Sequence, residues 1–336
     1  MASQTRVLVT GAGGFIGSHL VKYLKERGFW VRGVDIKEPE FDHSPADEFR
    51  LLDLRRLDSC VAATNGINEV YALAADMGGM GFISAHHAQI LYNNSLINLH
   101  TLEAARDAGV ERYLYTSSAC VYPEHLQENA KVEPLKEEDA YPAYPQDAYG
   151  WEKLISERLC MHYKADYGIE TRTVRFHNIF GELGTWEGGR EKVPAALCRK
   201  IATAKLTGKR EIDIWGDGEQ TRSFCYINDC LEGIYRLMRS DHSEPINLGQ
   251  DRMISINQLA DIISKIAEIE ITKAYIDGPQ GVRGRNSDNT RLKEVLGWEP
   301  QISLEDGLAI TYRWIEGQVK ASFEKQALSA PASLDH

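Results

Sequence analysis

The sequence predicts an α/β protein: a doubly wound parallel sheet followed by a smaller C-terminal α/β lobe. Three observations carry this. Strand-like and helical stretches alternate through the first half at the spacing of repeated βαβ units. A glycine-rich turn joins the first strand to the first helix. Beyond about residue 176 the pattern becomes less regular and richer in Gly and charge. A length of 336 residues accommodates two lobes that share a core.

Taken in order, "RVLVT" (6–10) is a β-branched strand, and a helix follows over 15–27. "WVRGVD" (30–35) is the second strand, and "FRLLDL" (49–54), "EVYALA" (69–74) and "RYLYTSS" (112–118) read as further strands. Helical stretches over 86–108 and 147–167 intervene, and "ETRTVRF" (170–176) adds another strand. The expected division is a dinucleotide-binding domain over 1–176, to which 221–249 returns. A substrate lobe spans 177–220 and 250–320. Residues 321–336 end in small and polar residues without a period and read as a mobile tail.

The net charge of −11 argues against nucleic acid or an anionic membrane as partner. Basic residues nevertheless gather in "GGREK" (188–192), "CRK" (198–200), "GKR" (208–210) and "GVRGR" (281–285), which suggests a local anion site on an acidic protein. The six cysteines form no CxxC pair, and His86-His87 point about 100° apart on a helix, so no metal site is expected. No apolar run approaches the roughly 18 residues of a membrane helix. A strand begins too soon after Met1 for a signal peptide, so the cytoplasm is expected and the "NNS" sequon at 93–95 carries no weight.

"VLVTGAGGFIGSHL" sets Gly11, Gly14 and Gly17 between strand and helix, with Phe15 and Ile16 opening the helix. Such a turn brings backbone against a pyrophosphate, whose charge then faces the helix N-terminus. Asp35 ends the second strand, 18 residues beyond Gly17, where a carboxylate accepts from ribose hydroxyls and repels a 2′-phosphate. NAD is therefore favoured over NADP. Asp53, after the third strand, is a candidate adenine contact. "YGWEK" puts Tyr149 and Lys153 on one helix face. Lowering a phenol from about 10 toward 7 takes roughly 4 kcal/mol, which an ammonium one turn away, with the positive nicotinamide nearby, can supply. Tyr149 then serves as base for an alcohol, and Ser118 bonds the same oxygen.

The set "TGAGGFIG", "SSACVY" and "YGWEK" resembles the extended short-chain dehydrogenase/reductases, which commonly modify nucleotide sugars. That resemblance implies a Rossmann-type fold, NAD and a Ser–Tyr–Lys triad. "AADMGGMGFI" (74–83), "RFHNIFG" (175–181), "GTWEGGREKVPAA" (184–196), "WGDGEQTRSF" (215–224) and "GVRGRNSDN" (281–289) closely resemble the GDP-mannose 3,5-epimerases, best known in plants, over about residues 5–318. One departure is "FGEL", where many superfamily members carry Gly-Pro, and only local loop geometry should change.

The resemblance gives the thiol of Cys120 a role. Related 4,6-dehydratases carry Asp-Glu at the two positions that hold Ala119 and Cys120 here. An alanine cannot protonate a leaving group, whereas a thiolate beside a cation can act as a base. A transient ketone at carbon 4 would acidify the hydrogens at carbons 3 and 5. Cys120 would remove them and, by match to the family, Lys192 would supply protons from the other face. GDP-mannose would become GDP-L-galactose, or GDP-L-gulose if only carbon 5 inverts. The family match also offers Gly78, Ser118, Ala119, Asn178, Glu191, Lys200, Gln220, Thr221, Arg222 and Arg285 as substrate contacts. Within that set, Lys200, Arg222 and Arg285 form a candidate diphosphate clamp. It further implies ascorbate biosynthesis and a homodimer paired through helices 86–108 and 147–167. Two alternatives stay open at this point: a 4-epimerase or decarboxylase of another nucleotide sugar, and a non-catalytic NAD-sensing protein.

Overall fold

The computed structural model describes residues 4–329. The chain opens with β1 (Arg6–Thr10), α1 (Phe15–Glu26), β2 (Trp30–Asp35), β3 (Glu48–Leu51), α2 (Leu57–Thr64) and β4 (Glu69–Ala72). It continues through α3 (Met80–Ile83), α4 (His87–Asp107), β5 (Arg112–Ser118), α5 (Ala148–Tyr167), β6 (Glu170–Phe176) and β7 (Ile179–Phe180). Next come α6 (Val193–Thr207), β8 (Glu211–Trp215), β9 (Thr221–Ser223), β10 (Cys225–Tyr226), α7 (Ile227–Arg239) and β11 (Ile246–Leu248). The last elements are β12 (Met253–Ser255), α8 (Ile256–Ala267), β13 (Thr272–Ile276), β14 (Gly284–Arg285), α9 (Thr290–Leu296) and α10 (Leu304–Ser329).

Seven strands form one sheet in the order β11-β6-β5-β4-β1-β2-β3, and every pair in it is parallel. This is the doubly wound Rossmann-type architecture, with helices on both faces because parallel strands must be covered on both sides. The order reverses at β1, so the carboxyl ends of β1, β4 and β5 open onto one crevice. Two apolar clusters lie against the sheet, one including Leu20, Leu24, Val174 and Ile234, the other Leu8, Val70, Leu102 and Cys160. Strands β9, β12 and β14 form a separate small sheet, and β8 pairs with β13.

Local chemistry sets the element ends. Asp147 caps α5 by accepting from the Gly150 amide at 2.8 Å, and Gly168 closes that helix at φ +76°. Two predicted strands stop early, β3 at Leu51 and β4 at Ala72. After β4 the amides of Leu73 and Ala74 both donate to Thr10 Oγ1 (3.0 and 3.1 Å), which draws the chain out of the ladder toward the glycine turn. The expected tail also begins later than residue 321, since α10 runs to Ser329; residues 330–336 lie outside the described ones.

A buried ion pair ties α5 to the sheet. Arg175 on β6 donates to both oxygens of Glu157 (2.9 and 2.7 Å), both side chains are 1% exposed, and Ser117 Oγ donates to the same carboxylate at 2.5 Å. Removing one partner leaves the other charge buried and alone. Glu157→Ala is expected to lower unfolding free energy by about 3–5 kcal/mol in a urea titration; a loss under about 1 kcal/mol would show that water replaces the carboxylate.

Candidate active site

The first strand-to-helix turn is shaped for a dinucleotide. Gly11 sits at φ +71°, and a Cβ there would lie 2.9 Å from the Ala74 amide. A Cβ on Gly17 would lie 2.0 Å from the Gly11 carbonyl, so glycine lets α1 pack directly on the turn. Gly14 begins α1 without a side-chain cap, and the first turn holds no acid, which leaves the amides of Phe15 and Ile16 to an anion. Asp35 ends β2 beside this turn and accepts from the amides of Gly13 (2.9 Å) and Ile36 (2.6 Å). Gly13 is a site residue that the three-glycine spacing misses: a Cβ there would sit 2.2 Å from the Lys37 carbonyl. Its signal was the extra glycine in "GAGG". Asp53 is gripped by its neighbour Arg55 at 2.7–3.1 Å, which holds its carboxyl below the usual range. The pocket residues therefore fit a dinucleotide.

The second group stands at the end of β5 and the start of α5. Ser118 Oγ accepts from the Cys120 amide at 3.2 Å and caps a 3₁₀ turn over Ala119–Val121. Tyr149 is 5% exposed. Burial, with the nearby Cys120, pushes its phenol well above the ordinary value, against a hydrogen bond with Ser118. The lowering expected from the sequence counts on Lys153 together with the positive nicotinamide. In this structure the Lys153 ammonium lies 5.4 Å from the Tyr149 ring centroid and donates to the Thr116 carbonyl at 3.1 Å. Burial is the largest influence on the phenol. Gly150 permits the close approach of α5, because a Cβ there would lie 2.1 Å from the Cys120 carbonyl.

The third group surrounds the Cys120 thiol, the half-buried member of a set whose five others are buried. Arg285 Nη1 donates to Sγ at 3.4 Å, and its Nε donates to Gln127 Oε1 at 2.5 Å. Gln127 was not foreseen; it lies five residues beyond "SSACVY" and is recognisable only once β14 is folded against it. β14 pairs with β9 so that Arg285 stands beside Arg222. Arg222 donates to the carbonyls of Thr221 (2.7 Å) and Val282 (2.6 Å). Burial and the charge of Arg285 push Arg222 down to about 9, with Cys120 pulling the other way. Lys192 stands at the start of α6 and is exposed as a residue. Its ammonium still loses solvation on the protein side, so its pKa falls below the usual lysine value, opposed by the sulfurs of Cys120 and Cys230.

The remaining candidates divide. Gln220 is buried, donates to the Trp215 carbonyl at 3.1 Å, and keeps an unpartnered Oε1. Asn178, at φ 46°, donates to the Ser223 carbonyl at 2.9 Å, and Thr221 Oγ1 donates to the Ala130 carbonyl at 2.5 Å. Glu191 is used internally, accepting from Gly189 N (2.6 Å) and Arg199 Nη2 (2.8 Å). Lys200 is not brought to Cys120: it donates to the Asp213 carbonyl at 2.6 Å, and its charged neighbours are Asp213, Arg199 and Glu191. Ala119 is 2% exposed among Val121, Tyr122 and Leu154, so its side chain faces the core. At Gly78 a Cβ would meet Phe82 Cβ at 2.8 Å, so that glycine serves the packing of its own loop.

Fold and site together define a short-chain dehydrogenase/reductase of the extended type. The chain belongs to the NAD dependent epimerase/dehydratase family, whose sequence model matches residues 7–249. NAD is its cofactor. It is 53% identical over 323 residues to GDP-mannose 3,5-epimerase 1 of Oryza sativa subsp. japonica, covering 95% of this chain and 84% of that protein. It is 50% identical over 321 residues to GDP-mannose 3,5-epimerase of Arabidopsis thaliana, with the same coverage. Among solved structures it resembles UDP-glucose 4-epimerase of Thermotoga maritima, with TM-score 0.84, 27% identity, and coverage of 94% of this chain and 100% of that one. It also resembles UDP-glucuronic acid 4-epimerase of Bacillus cereus, solved with UDP-glucuronic acid and NAD, with TM-score 0.79, 27% identity, and 94% and 100% covered.

Two outcomes follow from this geometry. Gly13→Ala forces a methyl against the Lys37 carbonyl, and calorimetry is expected to show NAD affinity reduced roughly tenfold or more; unchanged affinity would mean the turn yields freely. Arg285→Met removes the donor to the Cys120 sulfur, and iodoacetamide labelling of Cys120, read by mass spectrometry at neutral pH, is expected to slow by roughly an order of magnitude. Equal labelling rates would show that the guanidinium does not activate the thiol.

Proposed function

We propose that this chain is an NAD-dependent GDP-mannose 3,5-epimerase, converting GDP-α-D-mannose to GDP-β-L-galactose, with GDP-L-gulose as the product when carbon 5 alone inverts. One observation carries the reading: the Ser118–Tyr149–Lys153 group adjoins a half-buried thiol, Cys120, that accepts from a guanidinium, in a chain half identical to proteins of that name. A simple 4-epimerase needs no acid or base at carbon 5.

The glycine turn and Asp35 would hold NAD, which would supply a reversible hydride acceptor for carbon 4. Tyr149 accepts the carbon-4 hydroxyl proton, Ser118 holds that oxygen, and Lys153 supplies a positive charge to offset the burial that otherwise keeps the phenol protonated. The ketone makes the hydrogens at carbons 3 and 5 acidic. Cys120 removes them, and its sulfur anion is stabilised by Arg285 and Lys192. Lys192 donates protons from the opposite side. Arg222 and Arg285 neutralise the diphosphate, for which guanidinium forks are suited. Residues 177–220 and 250–320 act as a substrate lobe in this reading, and β9 (Thr221–Ser223), expected with the dinucleotide domain, joins the small sheet of that lobe instead.

The reading extends to a homodimer in the cytoplasm. Leu91, Tyr92 and Leu99 on α4 and Trp151 and Ile155 on α5 are exposed, and together make an apolar face suited to a second copy of the chain. All six cysteines are free, as in a reducing compartment. Among the described residues no helix is long and apolar enough to cross a membrane.

In heavy water with GDP-mannose, proton NMR is expected to show deuterium entering carbons 3 and 5. Cys120→Ala should retain NAD and lose that exchange by roughly three orders of magnitude, whereas Tyr149→Phe should block it by stopping oxidation; exchange at the wild-type rate in Cys120→Ala would remove the thiol as base. The pH profile gives a separate check. Lys192 must be protonated to act as acid, and its pKa lies below the ordinary lysine value. The alkaline limb of kcat should therefore fall below the free-lysine range near 10.4, and Lys192→Arg should abolish that limb. A limb at the free-lysine position would contradict the assignment.

A further inference from the structure

Lys192 must stand opposite Cys120, yet the segment that carries it has little rigidity of its own. Gly188 and Gly189 lie at φ +87° and +86°, and Lys192 begins α6 without a side-chain cap. Glu191 ties the segment to Arg199 on α6 at 2.8 Å, and a second tie, to the loop after β4, comes from the residue two places before Lys192. The Arg190 carbonyl accepts from the Gly79 amide at 3.1 Å, and the backbones touch closely enough that a Cβ on Gly79 would lie 2.7 Å from the Glu191 carbonyl. The Arg190 guanidinium lies 3.9 Å from the centroid of the Phe82 ring and 3.5 Å from both Asp76 Oδ1 and the Met77 carbonyl.

Both partners are themselves anchored. Asp76 Oδ2 accepts from Gln89 (2.9 Å) and Asn93 (3.0 Å), and Asn94 binds its backbone amide (2.6 Å) and carbonyl (3.3 Å), so three side chains of α4 hold it. Phe82 is buried in a cluster with Ile83, Ile90 and Tyr149, against which Cys120 packs. Phe82 thus joins the loop to the side chains that carry the chemistry. Arg190 is the only side chain of the 188–192 segment, among the described contacts, that reaches this anchored group.

We infer that Arg190 is a positioning residue: clasped between Asp76 and the face of Phe82, it fixes Lys192 across the sugar from Cys120. This rests on the proposed role of Lys192. The Arg190 side chain is 51% exposed, so its replacement should leave the fold intact. A ring-stacked cation is also sensitive to shape, since a lysine keeps the charge but not the flat contact.

The test uses the full chain with NAD and GDP-mannose and compares Arg190→Ala, Arg190→Lys and Lys192→Ala. Arg190→Ala is expected to slow deuterium entry at carbons 3 and 5 roughly tenfold, with KM unchanged. The absorbance of reduced cofactor should rise, because oxidation proceeds while reprotonation lags, and Arg190→Lys should fall between the two. Wild-type exchange in Arg190→Ala, with Lys192→Ala slow, overturns this inference alone. Loss of reduced cofactor in step with exchange also overturns it, because that marks general damage. Wild-type exchange in Lys192→Ala overturns both this inference and the role of Lys192.

Discussion

Two arginines side by side without an acid are the constraint on which this site depends. β9 and β14 are in register at Arg222 and Arg285, and among the described residues neither forms an ion pair. Their donors go to carbonyls, to Gln127 and to the Cys120 sulfur. Burying like charges together costs stability, and Arg222 registers that cost in a pKa lowered to about 9. The same fold pairs a buried arginine fully when no ligand is needed, as Arg175 with Glu157 shows. In the proposed reading an anionic ligand completes this uncompensated pair, which also gives the thiol the positive surroundings a base requires.

The sheet delivers the other groups to the same place. The carboxyl ends of β1, β4 and β5 release the chain on one side, into the glycine turn, the Asp76 loop and the Ser118–Cys120 turn. Asp147 caps α5 and so sets Tyr149 and Lys153 just inside its first two turns. Gly150, next to Tyr149, is what lets the helix lie against the Cys120 carbonyl. Tyr149 and Cys120, the two proton acceptors of the proposed reaction, thus share one apolar wall of Phe82, Ile83 and Ile90.

Much of this was legible beforehand because it follows local rules. The alternating strand and helix patterns and the turn glycines located β1, α1, β2, β5, α5 and β6 within a residue or two. Early exit of β4 was not legible, since it depends on Thr10 capturing two amides from a distant segment. Residue types suggested a clamp of Lys200, Arg222 and Arg285, but only strand pairing shows that the arginines adjoin and that Lys200 is spent on β8. Spacing could not reveal burial either, which pushes the phenol of Tyr149 up and sets what Lys153 and the nicotinamide have to offset. Gly78 and Ala119 match a motif by position, while their neighbours, Phe82 and the core, are tertiary facts.

The central claim is that the cation cluster sets a thiolate against the sugar ring. A crystal structure with NAD and GDP-mannose bound tests it most directly. The account requires the diphosphate between Arg222 and Arg285, the Cys120 sulfur in contact with the pyranose at carbons 3 and 5, and the Lys192 ammonium on its other face. A pyranose held away from that sulfur, with the diphosphate bound by other residues, would contradict it.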